Sequence, residues 1–253
     1  EIVFFRNLFG IVAVLPWFLR YGLKPLRTTR FPLHATRACL NICSMICFFY
    51  ALSITPLAEA ATLTFMGPIF STVFAVLILK EVVGPRRWIA IFVGFAGTLV
   101  ILRPGFADVG LGPLLAVTSA IIWAVTVIGI KELTKTDSAV TITSYMILLL
   151  VPLALIPASF VWEWPTWRQL GWLCLLGTLG STGHLLMNQA LREAETNVVM
   201  SLDFVRLIWV ALIGFVVFAE LPNVYTWIGG LMICGGVVLT YRDQRATAKK
   251  GAT

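Results

Sequence analysis

Apolar runs of about twenty residues recur along the chain, parted by short connections rich in proline, glycine and charge. They fall at Ile2–Leu19, Ala35–Ile54, Ala58–Leu79, Trp88–Leu102, Leu111–Ile130, Val140–Trp162, Leu170–Leu191, Asn197–Ala219 and Val224–Tyr241. A helix rising about 1.5 Å per residue needs about 20 residues to cross ~30 Å of hydrocarbon. Backbone polar groups in lipid must also find partners within their own segment. The pattern therefore predicts an all-α, polytopic membrane helical bundle with nine visible spans. Trp88–Leu102 is short and borrows flanking residues. No connection is long enough for a separate soluble domain.

Composition agrees. Of 253 residues, 59% are hydrophobic and only 12% charged, where a soluble domain carries about 25% charged residues. A soluble enzyme, a nucleic-acid binder and a disordered chain are excluded. The net charge of +7 sits in short basic clusters between the apolar runs, so the expected large partner is a lipid bilayer and no nucleic acid is expected. Cys39, Cys43, Cys47, Cys174 and Cys234 lie inside apolar runs and give no disulfide framework. Cys39, Cys43 and Cys47 recur every four residues on one helix face, which reads as small residues at a helix contact, with a soft-metal site as the alternative.

Lysine and arginine give the spans a direction. One side collects Arg20, Lys24, Arg27, Arg30, Arg37, Lys80, Arg86, Arg87, Lys131, Lys135, Arg192, Arg242, Arg245, Lys249 and Lys250, and the other has only Arg103 and Arg168. Fifteen against two is a strong positive-inside bias and puts the C-terminus in the cytoplasm. Trp162, Trp164, Trp167 and Trp172 cluster at the outer loop as an interfacial belt would.

Shifted by 139 residues, the chain resembles itself. Ala51-Leu52 meets Ala190-Leu191, Leu63, Phe65 and Ile69 meet Leu202, Phe204 and Ile208, Glu81 meets Glu220, Trp88-Ile89 meets Trp227-Ile228, and Gly97 meets Gly236. The shift covers five spans, an odd number, so the two copies have opposite orientation. Inverted repeats of this kind are a recurring plan of secondary transporters. The repeat divides the chain at residues 1–105 and 106–253. It leaves Leu111–Ile130 without a counterpart after Glu1, so ten helices are expected, with the first absent here.

These residues resemble the drug/metabolite transporter superfamily, specifically its EamA-type ten-helix carriers. The resemblance runs through Ala51–Glu81, Gly97–Gly105 and Asp203–Gly230, and the closing Glu and Trp of each half are typical of EamA repeats. It implies two inverted five-helix halves around a central cavity, with alternating access.

Candidate binding residues are polar groups that lipid would not tolerate. Asp203 and Arg206 share one helix face. Arg206 falls roughly 14 Å along its helix, near mid-membrane, where an unpaired arginine costs at least about 3 kcal/mol. The same positions in the first half are Thr64 and Gly67. Arg206 either grips an anionic group or pairs internally with Asp203. His184 and Asn188 stand four residues apart beside Gln189, with Gly177, Gly180 and Gly183 permitting close helix approach. His184 is either a proton relay or a hydrogen-bonded core residue, and Asn188 either touches substrate or braces helices. Arg6, beside Asn7, is a second cavity charge or an anchor reaching for the interface, and Tyr145 takes the equivalent position in the other half. Trp123 and Thr126 line the cavity or pack between helices. Pro68 should kink the middle of its span, with Thr64, Ser71 and Thr72 nearby to re-satisfy backbone. Glu81 and Glu220 oppose the dipole at helix C-termini, so each requires a specific partner.

The leading function is a secondary transporter of a small organic metabolite, amino-acid-like, vitamin or otherwise anionic or zwitterionic, in a bacterial-type inner membrane. A structural or assembly subunit is the alternative, followed by a membrane enzyme. The enzyme reading lacks a nucleophile, a carboxylate pair or a metal cluster, with His34 and His184 read as isolated. No cofactor or metal is expected, and no nucleotide-binding loop is present. Protons remain a candidate coupling ion. A monomer suffices in principle and a homodimer is compatible. The topology makes a direct prediction: on intact cells, an impermeant thiol reagent should label a cysteine placed near Trp164 and spare one at Thr28. The reverse pattern overturns the orientation.

Overall fold

The structure, a computed structural model, describes residues 1–54, 63–64, 66–81, 84–102, 111–160, 162–203, 205, 209, 225, 228–232 and 235. The regular elements among them are helical: α1 (Ile2–Phe9), α2 (Ile11–Tyr21), a short 3-10 turn at Lys24–Leu26, α3 (Phe31–Ile54), α4 (Gly67–Leu79), α5 (Pro85–Leu102), α6 (Leu111–Leu133), α7 (Ala139–Ser159), α8 (Trp167–Glu193) and α9 (Thr196–Asp203). Five stretches are long and apolar enough to cross a membrane, namely Ile2–Tyr21, Phe31–Ile54, Leu111–Leu133, Ala139–Ser159 and Trp167–Glu193. The chain is a multi-pass membrane protein. The last two predicted spans, with Glu220 and Trp227, lie largely outside the described residues.

The chain divides into two compact units, Glu1–Ile46 with Val125–Ala194, and Cys47–Ala124 with Glu195–Thr253. In the first, α1 packs on α7 and α8, and α2 packs on the same pair. The α1–α8 crossing explains two of the three glycines. A Cβ at Gly177 would stand 2.5 Å from the Arg6 carbonyl oxygen and 2.9 Å from Phe9 Cβ, and one at Gly180 would stand 3.2 Å from the Arg6 guanidinium. Gly183 has open space around it. Gly10 plays the matching role on α1, where a side chain would collide with Ser181. The first predicted span is accordingly two helices that meet at Gly10.

Helix ends are held by charge. Thr166 and Gln169 form a capping box at the start of α8. At its other end Lys131 Nζ donates to the carbonyls of Leu191 at 2.8 Å and Ala194 at 2.5 Å, a cation on the negative end of the helix dipole. In the second unit α9 packs on α4 and α5, and Glu81 Oε1 accepts from the Thr196 backbone N–H at 3.0 Å. That contact supplies the partner Glu81 required: a carboxylate displaced from the wrong end of α4 to the positive end of α9.

Pro68 lies in the first turn of α4, where its missing N–H costs no helical bond; Leu63 and Thr64 ahead of it are helical and Met66 forms a turn between, so the helical path is interrupted just before the proline. The Thr72 hydroxyl donates to the Pro68 carbonyl at 2.9 Å. Two expectations are corrected. Cys39 and Cys43 are exposed and Cys47 is half-buried, so the first two face outward and not into a helix contact. Arg37, counted with the loop charges, is inside α3 and only 2% exposed. Removing it leaves the basic bias intact.

The glycine contacts set opposite signs for one substitution. Gly177→Ala should lower stability by about 1–3 kcal/mol through overpacking. Gly183→Ala should leave it equal or raise it by about 0.5–1 kcal/mol, because alanine orders a helix at less entropic cost. Thermal melting of the purified variants checks both.

Candidate functional site

The spacing of α3 builds one wall. His34, Arg37, Asn41 and Ser44 recur at intervals of three and four, so they share a face of the helix. All four are buried, at 1%, 2%, 2% and 4% exposure. This polar strip in an apolar helix turns inward because lipid offers it no hydrogen-bond partner. Met45 continues the strip.

Three further helices of the first unit meet it. From α1, Arg6 Nη1 donates to Met45 Sδ at 3.7 Å and Nη2 lies 3.3 Å from His184 Nε2 on α8. One turn along α8, Asn188 is fully buried and its Nδ2 donates to Thr143 Oγ1 on α7 at 2.9 Å. The adjacent α7 residue, Ile142, gives its carbonyl to Arg37 Nη1 at 3.1 Å. Arg37 and Asn188 thus converge on the same turn of α7 from two different helices.

The strip has a second, separate end. His34 Nε2 and Asp137 Oδ2 are 2.7 Å apart, and Thr28 Oγ1 donates to the same oxygen at 2.7 Å. The His34 ring stacks on Tyr145 at 4.5 Å, and the Tyr145 hydroxyl donates to the Leu26 carbonyl at 2.8 Å. This group ties the start of α3 to the turn between α6 and α7.

Of the residues singled out in the sequence, the structure brings Arg6, His184 and Asn188 together. Arg6 turns to Gly180 and His184 on α8. Asn7 returns its amide to the Val3 carbonyl of its own helix at 2.7 Å, and Gln189 bonds Glu193 on the exposed face. Tyr145 belongs to the His34 end. In the second unit, Trp123 stands beside Gly67, with Cδ1 3.6 Å from where a Cβ would be. Thr126, buried in the first unit, and Thr64 and Asp203 in the second are described, each with an interaction of its own. Arg206 lies outside the described residues.

Neither histidine is isolated, which corrects the sequence reading: each faces a charged side chain. Sequence reasoning also missed Arg37 and Asn41. Their signal was the three-and-four spacing inside an apolar run. Among the described residues no acidic side chain comes within ion-pair distance of Arg6 or Arg37, and no group of histidine, cysteine or acidic residues is arranged to hold a metal. The arrangement can accept an anion: its charged groups are cations, and most of its free valences are N–H donors.

Similar proteins agree with a membrane carrier. A solved crystal structure superposes with a TM-score of 0.83 over 97% of this chain and 88% of that one, at 18% identity, and so shares the fold. A riboflavin transporter of Vibrio cholerae is 32% identical over 88% of this chain and 76% of its own. An S-adenosylmethionine uptake transporter of Rickettsia bellii is 28% identical over 99% and 86%. A pseudopaline exporter of Pseudomonas aeruginosa is 25% identical over 97% and 87%. The sequence profile of the EamA-like transporter family matches residues 1–103 and again 110–242, and with both matches together spanning nearly the whole chain, this protein belongs to the EamA-like transporter family.

Proposed function

We propose that this protein is a secondary transporter for a small organic metabolite with an anionic or zwitterionic end, working by alternating access in a bacterial inner membrane. The observation that carries the reading is the Arg6 guanidinium, held inside an apolar span on His184 and Met45 with no carboxylate in ion-pair distance among the described residues. A half-buried cation inside an apolar span without a counter-charge is costly for a scaffold and is suited to a solute that brings the charge with it. The relatives are named for three different solutes, and for uptake as well as export. In this reading the shared helical frame provides the path, and side chains such as Arg6, His184 and Asn188 select the solute.

The reading keeps residues 1–105 and 106–253 as inverted halves, the C-terminus in the cytoplasm, and Asp203 and Arg206 as the second half's contribution to binding, with Thr64, Trp123 and Tyr145 as further candidates. The 139-residue repeat, the odd number of spans it covers and the basic bias support it. Protons are the proposed coupling ion. One chain contains both halves, so a monomer suffices and a homodimer is compatible.

The test is flux of labelled metabolites in whole cells, over a panel of amino-acid-like and vitamin-like solutes. Arg6→Gln should cut flux at least about tenfold at normal membrane abundance, the effect of losing a charge-assisted contact of about 1.5–3 kcal/mol. Full flux in that variant removes Arg6 from the site.

Arg206→Lys separates charge from geometry in the other half. An ammonium keeps the charge but lacks the planar fork, so transport should fall most of the way, and Arg206→Ala should abolish it. Asp203→Asn should leave a folded protein whose affinity for the anionic solute holds or rises. Poor folding of that variant would instead assign Asp203 and Arg206 to an internal ion pair.

A further inference from the structure

Most hydroxyls in the described spans have an evident partner, commonly the carbonyl four residues back. Thr118 donates to Leu114, Thr143 to Ala139, Ser144 to Val140 and Thr182 to Thr178, at 2.7–2.8 Å. Against that background a few buried polar atoms are left over. Arg37 Nε and Nη2, Asn41 Nδ2 and Asn188 Oδ1 are sealed from solvent and make no hydrogen bond. Arg37 and Asn41 lie one turn apart on the inward face of α3 and are each 2% exposed. Asn188 reaches the same turn of α7 as Arg37. Buried groups of this kind require partners, and a guanidinium with one carbonyl for a partner also lacks a counter-charge. Asp137, the acid that meets the His34 end of the strip, has its Oδ2 committed to His34 and Thr28.

We propose that Arg37 and Asn41 form a second anion-binding position, distinct from Arg6–His184 and built to take a carboxylate or phosphate group. The chemistry follows from the unused donors. Arg37 Nε and Nη2 are the two edges of a guanidinium fork, which meets two oxygens of one oxyanion in parallel. Asn41 Nδ2 adds a third donor from the next turn. The Asn188 amide, already anchored on Thr143, turns its free oxygen to a donor on the solute or presents its nitrogen after a flip. Arg37 lies nearer the Phe31 end of α3 than Met45, which Arg6 touches, by about 12 Å at 1.5 Å per residue over eight residues. An anionic group that meets Arg6 first has a second station to move to. The inference deepens the transporter reading and rests on it for the identity of the anion, but the binding itself is testable apart from transport.

The experiment uses the full chain in lipid nanodiscs. Sodium acetate and sodium phosphate are titrated at constant ionic strength against sodium chloride, with thermal stability and calorimetry as readouts, on the wild type, Arg37→Gln, Arg37→Lys, Asn41→Ala and the control Gly183→Ala. Acetate, phosphate or both should stabilise the wild type and the control, and which one does so identifies the group accepted. Arg37→Gln should weaken that binding at least tenfold and Asn41→Ala about threefold, with Arg37→Lys in between because it keeps the charge without the fork. If Arg37→Gln does not fold, the contrast between Arg37→Lys and wild type carries the test. No stabilisation of the wild type by either anion overturns the proposal, as does wild-type affinity in Arg37→Gln or, should that variant not fold, in Arg37→Lys. Metabolite flux separates the two readings. Normal flux in Arg37→Gln with no anion binding by the wild type removes this site and leaves the transporter standing. Arg37-dependent binding with no flux of any solute leaves this site and removes the transporter reading.

Discussion

Hydrocarbon cannot hydrogen-bond, and that constraint orders the structure of this protein. It requires each span to satisfy its own backbone, so the regular elements are helices. It requires polar side chains to find a partner nearby, and serine and threonine do so by folding back onto their own helix. It also requires residues too large or too charged to fold back to turn into the protein, which places His34, Arg37, Asn41 and Ser44 on one face of α3. The polar interior of the first unit is thus the set of groups that neither lipid nor the local backbone could accommodate.

The fold was legible because this constraint writes itself into sequence at a scale of twenty residues. Six of the predicted spans recur as helices with ends shifted by a few residues, the first of them as a pair meeting at Gly10, since caps such as Ser138 and Thr166 lie just outside the apolar runs that were counted. The site was less legible. Arg6, His184 and Asn188 are polar residues in apolar surroundings and stood out. Arg37 did not, because it stands only two residues into the run counted from Ala35, close enough to Arg27 and Arg30 to join that cluster in any count of loop charge. Its true setting depends on α3 starting at Phe31, four residues ahead of the apolar run. Pairings between distant residues were not visible at all. His34 and Asp137 are over a hundred positions apart, and only the meeting of α3 with the turn before α7 joins them.

Pro68 shows how the same residue carries two meanings. A proline within an apolar run predicts a kink if the helix continues through it, and a start if the helix begins there. Local composition cannot distinguish them, because the difference lies in where the preceding backbone bonds are made. Glu81 is the opposite case. An acid at a helix C-terminus is locally unfavourable, and that conflict pointed correctly to a partner elsewhere, the first N–H of α9.

The outward stripe of Cys39 and Cys43 has a chemical consequence. A charged reagent stays in water, whereas an apolar one partitions into the acyl chains that an outward helix face meets. These sulfurs are exposed, so the reagent that reaches them depends on what covers that face. The chain carries its own reporters of bilayer contact. Their modification by an apolar maleimide, set against their silence toward a charged one, measures which face of α3 the membrane touches.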